Sequence, residues 1–508
     1  MAKPRFVCEL RVHQMQHGTA VFVLALCAGA AHAAETPVNL APLSRFDAKG
    51  DGVTDDSAAL QRGADFVAAN GNVTLVGEAG KVYVLRSGLV LRGDFRLDLH
   101  GAMLKPTGSV AHVIFREIPK TVDYPVLSGL DKGSTQLVLQ SSAGLQVGSL
   151  VRLTTKALGG RLVPSYRNLQ AVVGNQVDLG APLVYRYPSP TVLQKVLLQG
   201  EFSLKNGVVD GSAWSNATSV VWIGGYANVV IEGLTVQHAV GGTANWVIPQ
   251  TNRYVRIRGS HFLDNSITVS GEAINVWDAQ SVDISDNEVR GNGFGITVMR
   301  ADQVLIKNNT LYGDARAHPV TSVRGIKVMA LYGGEVRDNT VTNYANAIRT
   351  VDSGNVIIYG NTANDSSPGD PTSYAIAVSN QFPDREHEGG NQVLHNLIRG
   401  SGGSGIYLGA GSPGCTVEDN EIQNVGNFGI AIFTDSPGNH TIRHNTIRNF
   451  DQANRGAAGI YIGAASVVQA NTISDDNRQK PAIHVVSAAR SAKVDDNQTP
   501  NGNPVLRD

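Results

Sequence analysis

Cysteine is almost absent from this 508-residue chain, which holds only Cys8, Cys27 and Cys415. The first two fall in an N-terminal segment with the marks of an export signal, so a mature chain keeps Cys415 alone and forms no disulfide within itself. Aromatic residues make up 6% and charged residues 17% of the sequence, a composition that fits neither a disordered polyelectrolyte nor a coiled coil. Neither sign of charge dominates. The formal net charge is -1, and loss of the leader with Lys3, Arg5, Arg11 and Glu9 removes three cations and one carboxylate, leaving -3. That balance excludes the usual nucleic-acid binder, which carries a strong basic excess. No segment approaches the roughly 18 uninterrupted apolar residues of a transmembrane helix.

The leader itself is short. Lys3, Arg5 and Arg11 precede an apolar stretch from Ala20 to Ala31, and Ala31-His32-Ala33 offers small residues for cleavage. The expectation is a signal peptide over residues 1–33 and an exported chain, periplasmic or extracellular.

What is abundant is glycine, 56 residues of it, together with a ladder of short turns. The ladder runs Lys205-Asn206, Glu232-Gly233, Arg258-Gly259, Asp286-Asn287, Asn308-Asn309, Asp338-Asn339, Gly360-Asn361, His395-Asn396, Asp419-Asn420, His444-Asn445, Ala470-Asn471 and Asp496-Asn497, at spacings of 22 to 35 residues. Many turns follow β-branched pairs, as in Val304-Leu305-Ile306 or Val356-Ile357-Ile358. A period with a floor of 22 residues and short strands is one coil of a parallel β-helix. Asn accepts the left-handed backbone of a sharp corner, and its amide can stack on the Asn of the next coil. Gly233 and Gly259 satisfy the same backbone need and read as members of the column.

The fold class expected is therefore all-β: a right-handed parallel β-helix over residues 40–508, with an N-terminal capping helix and a small inserted β-subdomain at about 120–195. In the cap, Ala59, Leu60, Ala64, Phe66 and Val67 supply the apolar face, Thr54 or Asp55 the N-cap, and Asn70-Gly71 the stop. In the insertion the coil pattern lapses, and Ser134–Leu139, Gly148–Leu153, Gln170–Leu179 and Leu183–Tyr187 read as strands.

The stretch Phe46-Asp47-Ala48-Lys49-Gly50-Asp51-Gly52-Val53-Thr54-Asp55-Asp56, followed by Tyr83, Leu89-Val90-Leu91 and Leu97-Asp98-Leu99-His100-Gly101-Ala102, resembles the opening of pectate-lyase-superfamily right-handed β-helix proteins. That group includes polygalacturonases, rhamnogalacturonases, polysaccharide lyases and phage tailspike depolymerases. The resemblance covers about 60 residues and implies a polysaccharide substrate.

A second column locates the surface that could act on it. Ile274, Ile296, Ile326, Ile348, Ile376, Ile406, Ile430, Ile460 and Ile483 each follow an Ala or Gly. Alternate residues of a strand face opposite ways, so the residues one and three after each Ile point outward. These include Asn275, Thr297, Lys327, Arg349, Ala377, Tyr407, Ala431, Tyr461 and His484, beside Trp277, Met299, Met329, Val351 and Ser379. Arg300, Lys327 and Arg349 form a cationic strip flanked by Asp278, Asp302 and Asp352, with Trp277 as a plate for a sugar ring, an arrangement suited to an anionic glycan.

Two chemistries fit the strip. A β-eliminating lyase needs a cation to neutralise the uronate carboxylate and a base for the C5 proton, roles open to Lys327, Arg349 and Arg300, with His318 on a neighbouring insertion. A glycosidase needs two carboxylates, for which Glu272, Asp278, Asp302 and Asp352 are available. Against the polygalacturonase motifs, Gly271-Glu272-Ala273-Ile274 replaces the Asp pair, Gly293-Phe294-Gly295 replaces Gly-His-Gly, and Arg324-Gly325-Ile326-Lys327 lies near Arg-Ile-Lys.

The catalytic candidates are thus Lys327, Arg349, Glu272, Asp278 and Asp352. Trp277, Arg300, Asp302, His318 and Tyr407 are the candidates for substrate contact. The expectation is cleavage of an acidic polysaccharide, a lyase ahead of a hydrolase, with a C5-epimerase or a non-catalytic periplasmic glycan-binding β-helix as the other readings. No cofactor is required by these residues. The charged segment Phe382-Pro383-Asp384-Arg385-Glu386-His387-Glu388 offers oxygen ligands for Ca2+ through Asp384, Glu386 and Glu388.

Overall fold

The computed structural model describes residues 39–508 apart from residues 120, 156–164, 216–217, 242–246, 265, 268–270, 292, 314–322, 368–369, 371, 381–388 and 477–478. The Ca2+ candidates Asp384, Glu386 and Glu388, and also His318, lie outside the described residues.

The chain winds into a right-handed parallel β-solenoid with three short strands per coil. Arg324–Met329, Glu335–Arg337 and Thr340–Thr342 make one coil, and each pairs in parallel with its counterpart in the next: Asn346–Val351, Ile357–Tyr359 and Thr362–Ser366. The Ile column holds without a slip, since Ile274 pairs through Ile296, Ile326, Ile348, Ile376, Ile406, Ile430 and Ile460 to Ile483, every one fully buried. The small residue before each Ile has a steric cause. A Cβ on Gly325 would meet the Val341 side chain at 2.4 Å and the Ala347 carbonyl at 2.7 Å.

The Asn ladder is a continuous chain of amides, buried as far as Asn471. Asn287 donates to Asn309 at 2.9 Å, Asn309 to Asn339 at 2.9 Å and Asn339 to Asn361 at 2.9 Å, and the series continues through Asn396, Asn420, Asn445 and Asn471 to Asn497. Each Oδ1 also accepts the backbone N–H of the Asn before it, as Asn361 does from Asn339 at 3.0 Å. Two details differ from the sequence expectation. The left-handed residue is the one before the Asn, with Asp286 at φ 59° and Asp338 at φ 56°. Asn206, Gly233 and Gly259, at φ 55°, 60° and 56°, belong to that left-handed column, and the inward position beside Gly259 is Ser260, whose N–H bonds Asn287 at 3.0 Å. The amide ladder therefore begins at Asn287 and is capped by a serine.

The helix α1, Ser57–Asn70, buries Ala59, Leu60, Ala64 and Val67 on the first coils. Its N-cap is Asp56, one residue later than the sequence suggests, and the Asp56 side chain accepts from the backbone of Lys49 and Gly50 at 2.6 and 3.1 Å. The glycine-rich entry motif thus folds around a buried carboxylate. Gly71 stops the helix at φ 68°, returning its N–H to Val67.

Between Val122 and Lys195 the chain leaves the solenoid and forms a seven-stranded antiparallel sheet. Gln170–Leu179 is a hairpin of Ala171–Val173 and Gln176–Asp178. Leu183–Tyr187, expected as a strand, is irregular: Leu183, Tyr185 and Tyr187 instead join an apolar cluster with Met329, Ala330 and Val351 of the solenoid. The insertion is packed against the outer side of the coils that carry Met299, Met329 and Val351.

Candidate functional site

The outward face next to this insertion is built from two columns. One lies one residue after the Ile column: Asn275, Thr297, Lys327, Arg349, Ala377 and Tyr407 in successive register. The other lies two residues before it, where Glu272 pairs with Phe294, and Arg324 with Asn346 and then Tyr374. Strict alternation would turn this second column inward. It sits at a strand start, at a corner, and Arg324 and Glu272 stay partly exposed there while Gly325 and Ala273 between them and the Ile are buried.

Glu272, Arg324, Lys327 and Arg349 thereby share one patch of partly dry surface. Glu272 accepts from Thr297 Oγ1 at 2.9 Å and from the Asn275 amide. Its carboxyl is raised above the ordinary range, because burial outweighs the Thr297 bond and the charges of Lys327 and Arg324. The three cations shift the other way. Burial, Arg324 and Arg349 push the Lys327 ammonium down to about 8, against the pull of Glu272 and Asp352. Burial and Arg349 lower Arg324 to about 10, and burial lowers Arg349 as well. The buried Nε atoms of Arg324 and Arg349 have no hydrogen-bond partner among the described residues. Three desolvated cations on two adjacent coils, with one carboxylate, Glu272, at the patch, leave an excess of positive charge whose natural complement is an anion.

Three residues expected at the site are engaged elsewhere. Asp278 accepts Arg300 Nε and Nη2, at 2.9 and 2.7 Å, and pairs with Arg152 of the insertion at 3.3 Å. Asp302 accepts the Tyr166 N–H at 2.9 Å and Arg167 at 3.3 Å, both from the insertion, and burial raises its carboxyl to about 7. These groups fasten the insertion to the solenoid. Their role as open acids, bases or sugar contacts gives way to that of anchors, because their partners already occupy them.

Trp277 is half-buried, with the Arg300 guanidinium 5.8 Å from its ring centre. Met329 and Val351, expected as open flanks, are covered by the insertion. Asp352 is fully buried at a left-handed corner, φ 48°, and acts on Lys327 through its charge. Tyr407 stands one coil beyond Ala377 and stacks on Tyr374 at 4.4 Å. Sequence reasoning missed Arg324 as a site group, and also Thr297, Asn275 and Tyr374. The signal for Arg324 and Glu272 was their shared place two residues before an Ile.

A group of potential metal donors, Glu418, Asp419 and His444, occupies the Asn-ladder corner, away from these two columns. Arg443 already holds Glu418 Oε2 at 2.9 Å, which neutralises that carboxylate.

A family model described as periplasmic copper-binding protein (NosD) matches residues 315–505, and one described as right handed beta helix region matches residues 199–382. Among solved structures, the chain is similar to the tailspike protein gp49 from Pseudomonas phage LKA1, with 13% identity, 90% of this chain and 81% of that chain covered, and a TM-score of 0.55. It is also similar to the tailspike of E. coli bacteriophage HK620 in complex with pentasaccharide (14% identity, 91% and 78% covered, TM-score 0.49). A third similar structure is the A-module of the Azotobacter vinelandii mannuronan C-5 epimerase AlgE6 (11% identity, 92% and 99% covered, TM-score 0.41). At such identities the likeness concerns the fold. No curated protein matches the sequence.

Proposed function

We propose that this chain, a right-handed parallel β-helix protein of the pectate-lyase-like kind, is an exported enzyme that cleaves an acidic polysaccharide by β-elimination. The observation that carries this reading is the desolvated set Arg324, Lys327 and Arg349 beside Glu272, with Lys327 pushed down to about 8. An ammonium lowered that far is neutral in a useful fraction of molecules in mildly alkaline solution and can accept a proton. Arg349 and Arg324 supply the positive charge that a uronate carboxylate needs as its C5 proton leaves.

In the proposed step, Lys327 Nζ takes the C5 proton, and the electron pair moves first into the carboxylate-stabilised anion held by the arginines. It then forms the C4–C5 double bond as the C4–O bond breaks, and the departing oxygen takes a proton from water or the Lys327 ammonium. Glu272, fixed by Thr297 and Asn275, holds Lys327 in place by charge.

The hydrolase reading is weaker on the same ground. It needs two carboxylates facing the bond. Of the four candidates, Asp278 and Asp302 are tied to the insertion and Asp352 is fully buried, which leaves Glu272. Export is supported by the leader over residues 1–33 and by the match to a family described as periplasmic.

The test is incubation of the mature protein with polygalacturonate, polymannuronate and polyguluronate, following ultraviolet absorbance of unsaturated uronate together with reducing ends. Both rise for a lyase. Reducing ends alone indicate hydrolysis. C5 inversion detected by NMR without cleavage indicates an epimerase, and binding without any turnover indicates a glycan-binding protein; each of these three outcomes sinks the lyase assignment.

A further inference from the structure

The two site columns do not end at Arg349; they change character. Tyr374 follows Arg324 and Asn346 in one column, while Tyr407 and Tyr461 follow Lys327 and Arg349 in the other. The tyrosines are separated by alanines, Ala377 before Tyr407 and Ala431 before Tyr461. Rungs lie about 4.8 Å apart, so an alanine on alternate rungs gives a phenol ring room to lie over its neighbour.

Rings from four coils touch in sequence. Tyr374 and Tyr407 stack at 4.4 Å with planes 24° apart, Tyr407 meets Phe433 at 5.2 Å, Phe433 meets Tyr461 at 5.8 Å, and Phe428 meets Tyr461 at 4.9 Å. A Cβ on Gly409 would lie within 2.5 Å of Tyr407 ring carbons, so the ring rests against that glycine.

All five rings are partly exposed, whereas Phe95, Phe202, Phe262 and Phe450 are fully buried in the core. The apolar cluster between insertion and solenoid takes its solenoid members from the coils of Met299, Met329, Tyr332 and Val351 and none from this ridge. A contiguous, half-open aromatic ridge in line with a cationic patch is a surface with a use.

We propose that the ridge from Tyr374 to Tyr461 is the binding track for an extended acidic glycan. The sugar chain runs along the solenoid axis across the exposed parts of these rings, its apolar C–H faces against them, with one uronate at Arg324 and Arg349. Aromatic rings suit this occupant because a pyranose presents an apolar face and polar edges. The track therefore holds the sugars on the C-terminal-coil side of the reacting residue, and binding strengthens with oligomer length. This inference rests on the glycan reading above.

Calorimetric titration with oligogalacturonates and oligomannuronates of two to eight units tests it, using wild type, Tyr407→Ala, Tyr461→Ala, Tyr461→Phe and Arg349→Gln, each checked for an intact melting transition. Wild type should gain affinity with each added unit until the track is filled. Tyr461→Ala should lose roughly tenfold for the longest oligomers and little for the shortest, and Tyr461→Phe should restore the gain. Arg349→Gln should weaken all lengths alike. Equal length dependence in wild type and both alanine variants overturns the track while leaving the acidic-substrate reading standing. Absence of uronate binding, with a neutral galactan or glucan oligomer bound in a Tyr461-dependent way, overturns the acidic substrate and keeps the track. No binding of any oligomer to wild type overturns both.

Discussion

Two columns of this solenoid, one strand apart, follow opposite rules. At the inner corner the residue is the same from Asn287 to Asn497, bonded to its own kind in every coil and buried as far as Asn471. On the outward face the residue changes at nearly every coil: Asn, Thr, Lys, Arg, Ala, Tyr, Ala, Tyr, His. A buried amide that must both accept from one coil and donate to the next admits one side chain, whereas an outward position is relieved of that demand. In a stacked coil, repetition marks structure and variation marks where chemistry can be placed.

The sharpest way to break that contrast is to exchange costs between the columns. Lys327→Ala should lower turnover by about 100-fold or more, the contribution of a general base, and leave the melting temperature unchanged or raised, because it removes a desolvated charge beside two arginines. Asn339→Leu should do the reverse. It strands the Asn309 and Asn361 partners and the Ile306 and Arg337 carbonyls, costing about 2–5 kcal/mol of stability, with activity per folded molecule retained. Urea melts combined with initial rates separate the two, and a Lys327→Ala variant that loses stability in proportion to activity would collapse the distinction.

A smaller effect is a shift in pH dependence. Lys327 must be neutral to act, so the rate should climb as pH rises through about 8. Glu272 holds that ammonium up by charge, and Glu272→Gln should therefore move the rise to lower pH. A rate profile that keeps its midpoint removes Glu272 from contact with the base.

The smallest effect concerns the anchor of the insertion. Burial raises the Asp302 carboxyl from 3.8 to about 7, so its contribution to stability is fully present below pH 3.8 and is lost as pH rises through about 7. Asp302→Asn keeps an acceptor for the Tyr166 N–H and cannot ionise. Its melting temperature relative to wild type should improve by roughly 1–4 °C across that window. Parallel melting curves at all pH values would show that Arg167 fully offsets the buried charge.

The Asn ladder was legible in the sequence because each member answers to the same local demand, and the Ile column because each Ile fills the same core site. Gly233 and Gly259 misled by one position, since they meet the left-handed requirement that Asp286 and Asp338 meet in later coils. The anchors were not legible. Asp302 meets Tyr166 and Arg167 across 136 and 135 residues of chain, and Asp278 meets Arg152 across a comparable gap. Arg324 escaped the two-residue period because a strand that begins at a corner does not yet obey it.

The sequence by itself determined the repeat, the register and the line along which outward residues would stand, because these follow from backbone conformations and core volumes repeated within a few tens of residues. Only the tertiary structure decided which of those residues remain open. The insertion takes Asp278, Arg300 and Asp302 for its own attachment and covers Met329 and Val351, leaving Glu272, Arg324, Lys327 and Arg349 as the charged patch and Tyr374 to Tyr461 as its aromatic continuation. Burial and the sum of neighbouring charges set how these groups behave, and both come from segments distant in the chain.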